Sequence, residues 1–274
     1  MDRITVDVGA LTFDVAVAGP AEGRPVLLLH GFPQSSWSWR FVMEALSQQG
    51  FRALAPDLRG YSPGARPVGV EHYAMSHLVA DALGLLDALG LGRADVVGHD
   101  WGAAIAWQLA IRHPERVRSL TAVSVPHPLA FVEALRSDPD QRARSTYMKD
   151  WLSDDAEEGL LGTGEGSLKD MFGGLPDSAP YVAAMREPGA LTAALSYYRA
   201  QSMADMAGLG PVTVPTLYVW SDQDRALGEV AARATASYAG GDYRFEVLAG
   251  ISHWIPEQAP ADLSRVLLEH LAAH

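Results

Sequence analysis

Three short segments of this 274-residue chain hold the residue types that nucleophilic catalysis needs. Gly98-His99-Asp100-Trp101-Gly102 follows an apolar strand pattern at Asp95–Val97 and opens the small-residue helix pattern Gly102-Ala103-Ala104-Ile105-Ala106. It has the form of a G-x-S-x-G nucleophile elbow with aspartate in the serine position, in the strand-then-helix context the motif requires. The glycines permit a tight turn and close helix–strand packing. The turn lifts the central side chain out of the sheet, and the helix N-terminus favours its negative charge. An isolated aspartate here would read as a helix cap; the strand before it and the helix after it favour the elbow.

Ser221-Asp222-Gln223-Asp224 follows the strand pattern Val214–Trp220, and Gly250-Ile251-Ser252-His253-Trp254 follows Tyr243–Leu248. All three segments therefore stand at predicted strand C-termini, where open α/β sheets place their ligands. The chain order is nucleophile, acid, histidine. In that order His253 is the base, and an aspartate fixes its tautomer and orientation. Both Asp222 and Asp224 follow the strand. Asp224 is favoured because it lies further into the loop, where the chain can turn towards the histidine. Ser124-Val125-Pro126-His127-Pro128 offers no carboxylate after the preceding strand. A fourth segment, His30-Gly31-Phe32-Pro33, follows the strand Val26–Leu29, and its Phe32 N–H could join that of Trp101 in an oxyanion hole. Pro33 is a candidate for a cis peptide bond.

The choice of aspartate narrows the reaction. A serine attacking a saturated carbon would leave an ether that water cannot open. A carboxylate leaves an alkyl ester, which water activated by His253 can hydrolyse at the Asp100 carbonyl. Asp100 also needs no deprotonation at neutral pH. Substitution at an sp³ carbon is expected, by epoxide opening or carbon–halogen cleavage, and ester hydrolysis is disfavoured.

The surrounding pattern supplies a frame for these segments. Ile4–Val8 and Leu11–Ala18 alternate around Gly9 as an antiparallel hairpin. Short, continuously apolar runs then alternate with helical patterns: Val26–Leu29 before Trp37–Gln48, Arg52–Ala55 before a Gly/Pro-rich turn, His72–Leu89 before Asp95–Val97, and Ala103–Ile111 before Val117–Val125. This is the signature of strands buried on both faces of a parallel sheet. From about residue 126 to 209 the chain reads helical, with glycine- and aspartate-bearing loops. Alternation resumes at Thr213–Trp220, Leu227–Tyr238, Tyr243–Leu248 and Ala261–Ala272. The expected architecture is α/β, a mostly parallel doubly wound sheet with an inserted helical cap. Residues 1–125 and 211–274 form the core, and residues 126–210 form the cap.

Composition narrows the partners. Lys and Arg number 21 against 33 Asp and Glu, for a net charge of −12. With no dense basic run, neither nucleic acid nor an anionic membrane surface is an expected partner. The absence of cysteine rules out disulfides, thiol catalysis and Cys-ligated metals. Met1-Asp2-Arg3-Ile4 shows no basic region followed by a long apolar one, so no signal peptide is expected; Pro25–Leu29 is too short to cross a bilayer, and a cytoplasmic location is expected. No cofactor or metal is expected, and the chain is expected to be a monomer or a homodimer.

Taken together, His30-Gly31-Phe32-Pro33, Gly98-His99-Asp100-Trp101-Gly102, Ser124-Val125-Pro126-His127-Pro128 and the His253 loop resemble the epoxide hydrolase branch of the α/β-hydrolases. The resemblance covers nearly the whole core and is looser across the cap. It implies a small apolar epoxide as substrate, a vicinal diol as product, and two cap tyrosines that protonate the opening oxygen. Leu195-Ser196-Tyr197-Tyr198-Arg199 is similar to the family's distal tyrosine motif with Tyr198 in place, and Tyr147 in Arg144-Ser145-Thr146-Tyr147-Met148 is the proximal candidate. Tyr197 and Tyr181 are the fallbacks. Haloalkane dehalogenases, which share the aspartate ester, place an asparagine where this chain has Phe32. Fluoroacetate-type dehalogenases need arginines beside the nucleophile, and Trp101-Gly102-Ala103-Ala104 has none. A hydrolase-fold ligand receptor is a third possibility, but binding alone does not require Asp100, Asp224 and His253 together. Asp57 and Arg59, in Asp57-Leu58-Arg59-Gly60-Tyr61-Ser62, read as residues that fix a loop.

Overall fold

The N-terminal alternation folds as a hairpin, β1 (Asp2–Val8) and β2 (Leu11–Ala18), in antiparallel register from Asp2 opposite Val17 to Val8 opposite Leu11. Gly9 makes the turn at φ +60°, a conformation glycine adopts without a Cβ penalty. The computed structural model describes Met1–His274. Six further strands are β3 (Pro25–Leu29), β4 (Arg52–Pro56), β5 (Ala94–His99), β6 (Val117–Val123), β7 (Thr216–Ser221) and β8 (Tyr243–Leu248). They complete an eight-stranded sheet of order β1-β2-β4-β3-β5-β6-β7-β8, parallel from β4 to β8, with β2 antiparallel to β4.

Helices cover both faces: α1 (Arg40–Gln48), α2 (Met75–Ala88) and α3 (Trp101–Arg112) connect successive parallel strands. Strand β3 shows how its side chains divide between two cores. Val26 and Leu28 pack with Trp39, Met43 and Leu267, whereas Leu27 and Leu29 pack with Leu78, Leu85 and Ile105, the period-2 alternation of a strand buried on both sides. Every residue of β5 is buried, so the elbow emerges from the middle of the sheet.

Between β6 and β7 the chain is helical: α4 (Pro128–Ser137), α5 (Pro139–Arg144), α6 (Tyr147–Asp150), α7 (Ala156–Leu161), α8 (Leu168–Met171), α9 (Ala179–Met185) and α10 (Ala190–Arg199). Pro128, Pro139 and Pro180 sit in first turns, where a missing N–H costs nothing, and Gly166, Gly173 and Gly174 at positive φ interrupt the run. The chain finishes with α11 (Glu229–Ala234), α12 (Ile255–Gln258) and α13 (Pro260–Ala273) around β8.

Among the boundaries that differ from the sequence reading are the start of β7 and both ends of α11. The strand expected from Thr213 begins at Thr216; Pro215, just before it, has no N–H to give the ladder, although its carbonyl accepts from Leu120. The helix expected over Leu227–Tyr238 starts at Glu229 and tightens into a 3₁₀ turn at Thr235–Tyr238. No helix is long and apolar enough to cross a membrane.

Candidate active site

Asp100 stands between β5 and α3 at φ +52°, ψ −120°. A side chain held there costs on the order of 1–3 kcal/mol, so its neighbours must enforce the turn. A Cβ on Gly98 would strike the Gly102 carbonyl, one on Gly102 would strike the Leu29 carbonyl, and one on Gly31 would strike Asp100 itself. Bare backbone at these three positions lets the loop after β3, the end of β5 and the start of α3 converge on one carboxylate.

The Asp100 carboxylate divides its two oxygens. Oδ1 accepts the Phe32 N–H at 2.7 Å, and Oδ2 faces His253 Nε2 at 3.5 Å. On the far side of the ring, Nδ1 lies 2.8 Å from Asp224 Oδ2. Asp224 is buried, and its Oδ1 accepts the N–H groups of Ala226 at 2.8 Å and Leu227 at 3.0 Å. Both its oxygens are thus anchored, and His253 must present Nδ1–H to it and Nε2 to Asp100. Asp222 instead turns outward and accepts the Gly250 N–H at 2.7 Å, joining the acid and histidine loops.

Charge follows this geometry. Burial pulls the His253 pKa down, but Asp224 and Asp100 outweigh it and hold it up at about 10. Burial likewise pushes the Asp100 carboxyl up, while His253 and the Phe32 N–H bring it below its ordinary value. In the resting protein His253 is therefore a cation between two carboxylates. Since this pKa is raised from 6.5, the stabilisation it brings is complete below about pH 6.5 and is lost as pH rises towards 10. The difference in Tm between the native chain and His253→Gln should shrink from pH 6.5 to pH 10 in thermal melts; a constant difference would contradict the charged resting state.

Tyr147 and Tyr198 both line a cavity of about 810 Å³ that also exposes Asp100, His253, Phe32, Trp151 and Trp254. Burial and then the nearby Asp100 charge hold both hydroxyls above the ordinary tyrosine range, so both remain protonated donors at neutral pH. Tyr197 turns away and donates to the Arg59 carbonyl at 2.7 Å, and Tyr181 donates to Glu257 Oε1 at 2.9 Å. The two fallback hydroxyls are engaged elsewhere.

The remaining sequence candidates have distinct places. The Phe32–Pro33 peptide is cis, and the Phe32 ring packs against Trp151 at 4.9 Å and Tyr198 at 5.6 Å. Pro33 turns the loop and is not part of the cavity wall. The Trp101 ring meets Tyr198 edge-on at 4.9 Å, while its backbone opens α3. His30, expected among the substrate-binding residues, does not reach the cavity. Its buried Nε2 accepts the Leu58 N–H at 3.0 Å, which leaves Nδ1–H to donate to the Gly31 carbonyl at 2.9 Å. It pins the loop after β4 to the loop carrying Phe32. Asp57 accepts the Ser36 N–H at 2.7 Å, and Arg59 forms a bidentate pair with buried Asp81, both bonds at 2.6 Å.

Two contributions escaped the sequence reading. Trp151 packs against Tyr147, Phe32 and Tyr198 with centroids 4.5–4.9 Å apart; its spacing of four from Tyr147 was the available signal. Gln141 on α5 clamps the acid loop, donating to the Ala226 carbonyl at 2.7 Å and accepting the Gly228 N–H at 2.8 Å. Arg144, one turn on, donates to the Asp224 carbonyl.

Comparison with known proteins shows the family and the fold. The family model for the alpha/beta hydrolase fold matches residues 24–260. The AB hydrolase superfamily protein YfhM of Bacillus subtilis is 33% identical, covering 97% of this chain and 96% of its own length. Epoxide hydrolase A of Mycobacterium tuberculosis is 32% identical over the same shares. Among solved structures, a variant of an epoxide hydrolase from Bacillus megaterium, complexed with its diol product, superposes with a TM-score of 0.89 at 27% identity, covering 98% of this chain and all of that one.

Proposed function

Because the chain belongs to the α/β-hydrolase fold family, we propose that it is an epoxide hydrolase that opens a small apolar epoxide to a vicinal diol through an ester on Asp100. The observation that carries this reading is a carboxylate at the elbow sharing one cavity with two protonated tyrosines. A carboxylate can displace oxygen from a saturated carbon, and the displaced oxygen, tethered as an alkoxide, needs a proton donor nearby. The helices over residues 126–210 serve as the cap that brings Tyr147 and Tyr198 over Asp100.

Asp100 attacks a ring carbon, the carbon–oxygen bond breaks, and Tyr198, assisted by Tyr147, protonates the leaving oxygen. Esterification removes the Asp100 charge, which is one of the two that hold His253 protonated. His253 then returns a proton to the tyrosinate and becomes a neutral base. It takes a proton from water as the hydroxide adds to the Asp100 carbonyl carbon. The Phe32 N–H, already 2.7 Å from Oδ1, and the Trp101 N–H stabilise the tetrahedral oxyanion. Collapse expels the diol, with the proton of the new carboxylic acid passing to the departing oxygen. Asp100 is again a carboxylate and His253 again a cation.

The test is to incubate the protein with aryl and alkyl epoxides and with haloalkanes, and to measure diol and halide release. Diol from epoxides is the expected result. Halide without diol would overturn the reading in favour of a hydrolytic dehalogenase, and turnover of neither would favour a ligand receptor.

A further inference from the structure

Behind the histidine runs a buried chain of polar groups with no part in the steps above. His99 Nε2 lies 2.9 Å from the His253 carbonyl oxygen, and His99 Nδ1 lies 2.9 Å from the Gln34 side-chain amide. The other end of that amide lies 2.6 Å from Glu257 Oε1, which also accepts from Tyr181 on α9. Glu257 Oε2 is buried without any partner. Gln34 and His99 are fully enclosed.

Two proton arrangements satisfy this chain, and both carry the same number of protons. In one, Glu257 is a carboxylate that accepts from the Gln34 N–H, so the Gln34 oxygen faces His99. Both His99 nitrogens then confront oxygen acceptors, and the ring must be an imidazolium. In the other, Glu257 is a carboxylic acid donating to the Gln34 oxygen. The reversed Gln34 amide gives its N–H to His99 Nδ1, and neutral His99 donates from Nε2 to the His253 carbonyl. An amide flip and one proton moved between His99 and Glu257 interconvert them.

Two observations favour the second. The rings of His99 and His253 are 4.8 Å apart, and His253 carries charge in the resting protein, so a second cation beside it is strongly disfavoured. A partnerless buried oxygen suits an acid better than a carboxylate.

We infer that Glu257 is a positioning residue carried as the protonated acid, whose proton, relayed by the orientation of Gln34, holds His99 as the neutral Nε2–H tautomer beneath His253. This inference rests in part on the proposed role of His253 as the base. The groups facing Glu257 are Gln34 from the loop after β3, Tyr181 from α9 and Arg40 from α1; burial outweighs all three and brings the carboxyl up to about 7. The Arg40 guanidinium is itself directed to the Trp37 carbonyl and Asp177. His99, one amide further on, is pulled down to about 3 by its burial and by the His253 charge. Above neutrality the proton leaves Glu257, the Gln34 amide reverses, and His99 confronts a second acceptor beneath the base.

The experiment is infrared difference spectroscopy of the resting native protein against Glu257→Gln, with a parallel pH series of single-turnover hydrolysis of the alkyl-enzyme. A protonated-acid carbonyl band should be present at pH 6, titrate away near pH 7 to 8, and be missing in Glu257→Gln. Tyr181→Phe, which removes a donor to the carboxylate, should move its midpoint to higher pH. Glu257→Gln keeps an N–H for the Gln34 oxygen, so hydrolysis should survive while its decline above neutrality is lost. Absence of the band in the native protein at pH 6, or identical pH profiles for native and Glu257→Gln, would overturn the proposal. The band is read without substrate, so a chain that turns over no epoxide would refute the proposed function and leave this test intact.

Discussion

Given an epoxide, the His253→Gln chain should stop at the ester, gaining the mass of the substrate on the peptide that contains Asp100. Alkylation does not require His253 as a base, because Asp100 is ionised without it. Hydrolysis does, since water must lose a proton as it adds to the ester carbonyl. Loss of a positioned general base slows such a step by about 100- to 10,000-fold, so the adduct should persist long enough for intact-mass measurement and peptide mapping. The glutamine is close in size to the imidazole, which guards against collapse of the pocket. An adduct on any residue other than Asp100 would refute the nucleophile. Full turnover at the native rate would refute the base.

Tyr198→Phe should produce the opposite defect, in the first half of the reaction. The ring packs against Phe32, Trp101 and Trp151 at 4.8–5.6 Å, and phenylalanine preserves that packing while removing the hydroxyl. The leaving oxygen would then depend on Tyr147 alone. Pre-steady-state alkylation should slow by about 100-fold or more, while hydrolysis of ester already formed stays near the native rate. Tyr147→Phe should have a similar effect, and the double variant should abolish alkylation. An unchanged alkylation rate in Tyr198→Phe would remove that residue from the chemistry. Tyr197→Phe is the internal comparison, because its hydroxyl serves the Arg59 carbonyl.

The sheet was legible in the sequence because strands buried on both faces leave short apolar runs, as at Pro25–Leu29. The elbow was legible because its constraints are local: glycines two residues either side of Asp100 are dictated by contacts within one turn and its neighbouring strand. Which aspartate meets His253 was less accessible. Asp222 and Asp224 are separated by the path of a loop whose turn is closed by the Ala226 and Leu227 amides, and no periodicity records that. The tyrosines were harder still. Adjacent residues on a helix point about 100° apart, so choosing Tyr198 over Tyr197 requires knowing how α10 is rotated against the sheet. His30 shows the converse. Its motif marks the right loop, but its ring is committed to backbone 28 residues away, at Leu58.

The grip of Gln141 and Arg144 on the backbone at Asp224, Ala226 and Gly228 bears on how such proteins could be recombined. The helices between β6 and β7 and the second half of the sheet are stitched together at the Asp224 loop, by residues six and three positions before Tyr147. A segment transplanted from a relative would bring new tyrosine positions and would also replace the stitches that set the Asp224 loop. Grafts cut at residues 126 and 210 should therefore carry glutamine and arginine at the places of Gln141 and Arg144, or take the stretch from Asp224 to Gly228 from the same donor.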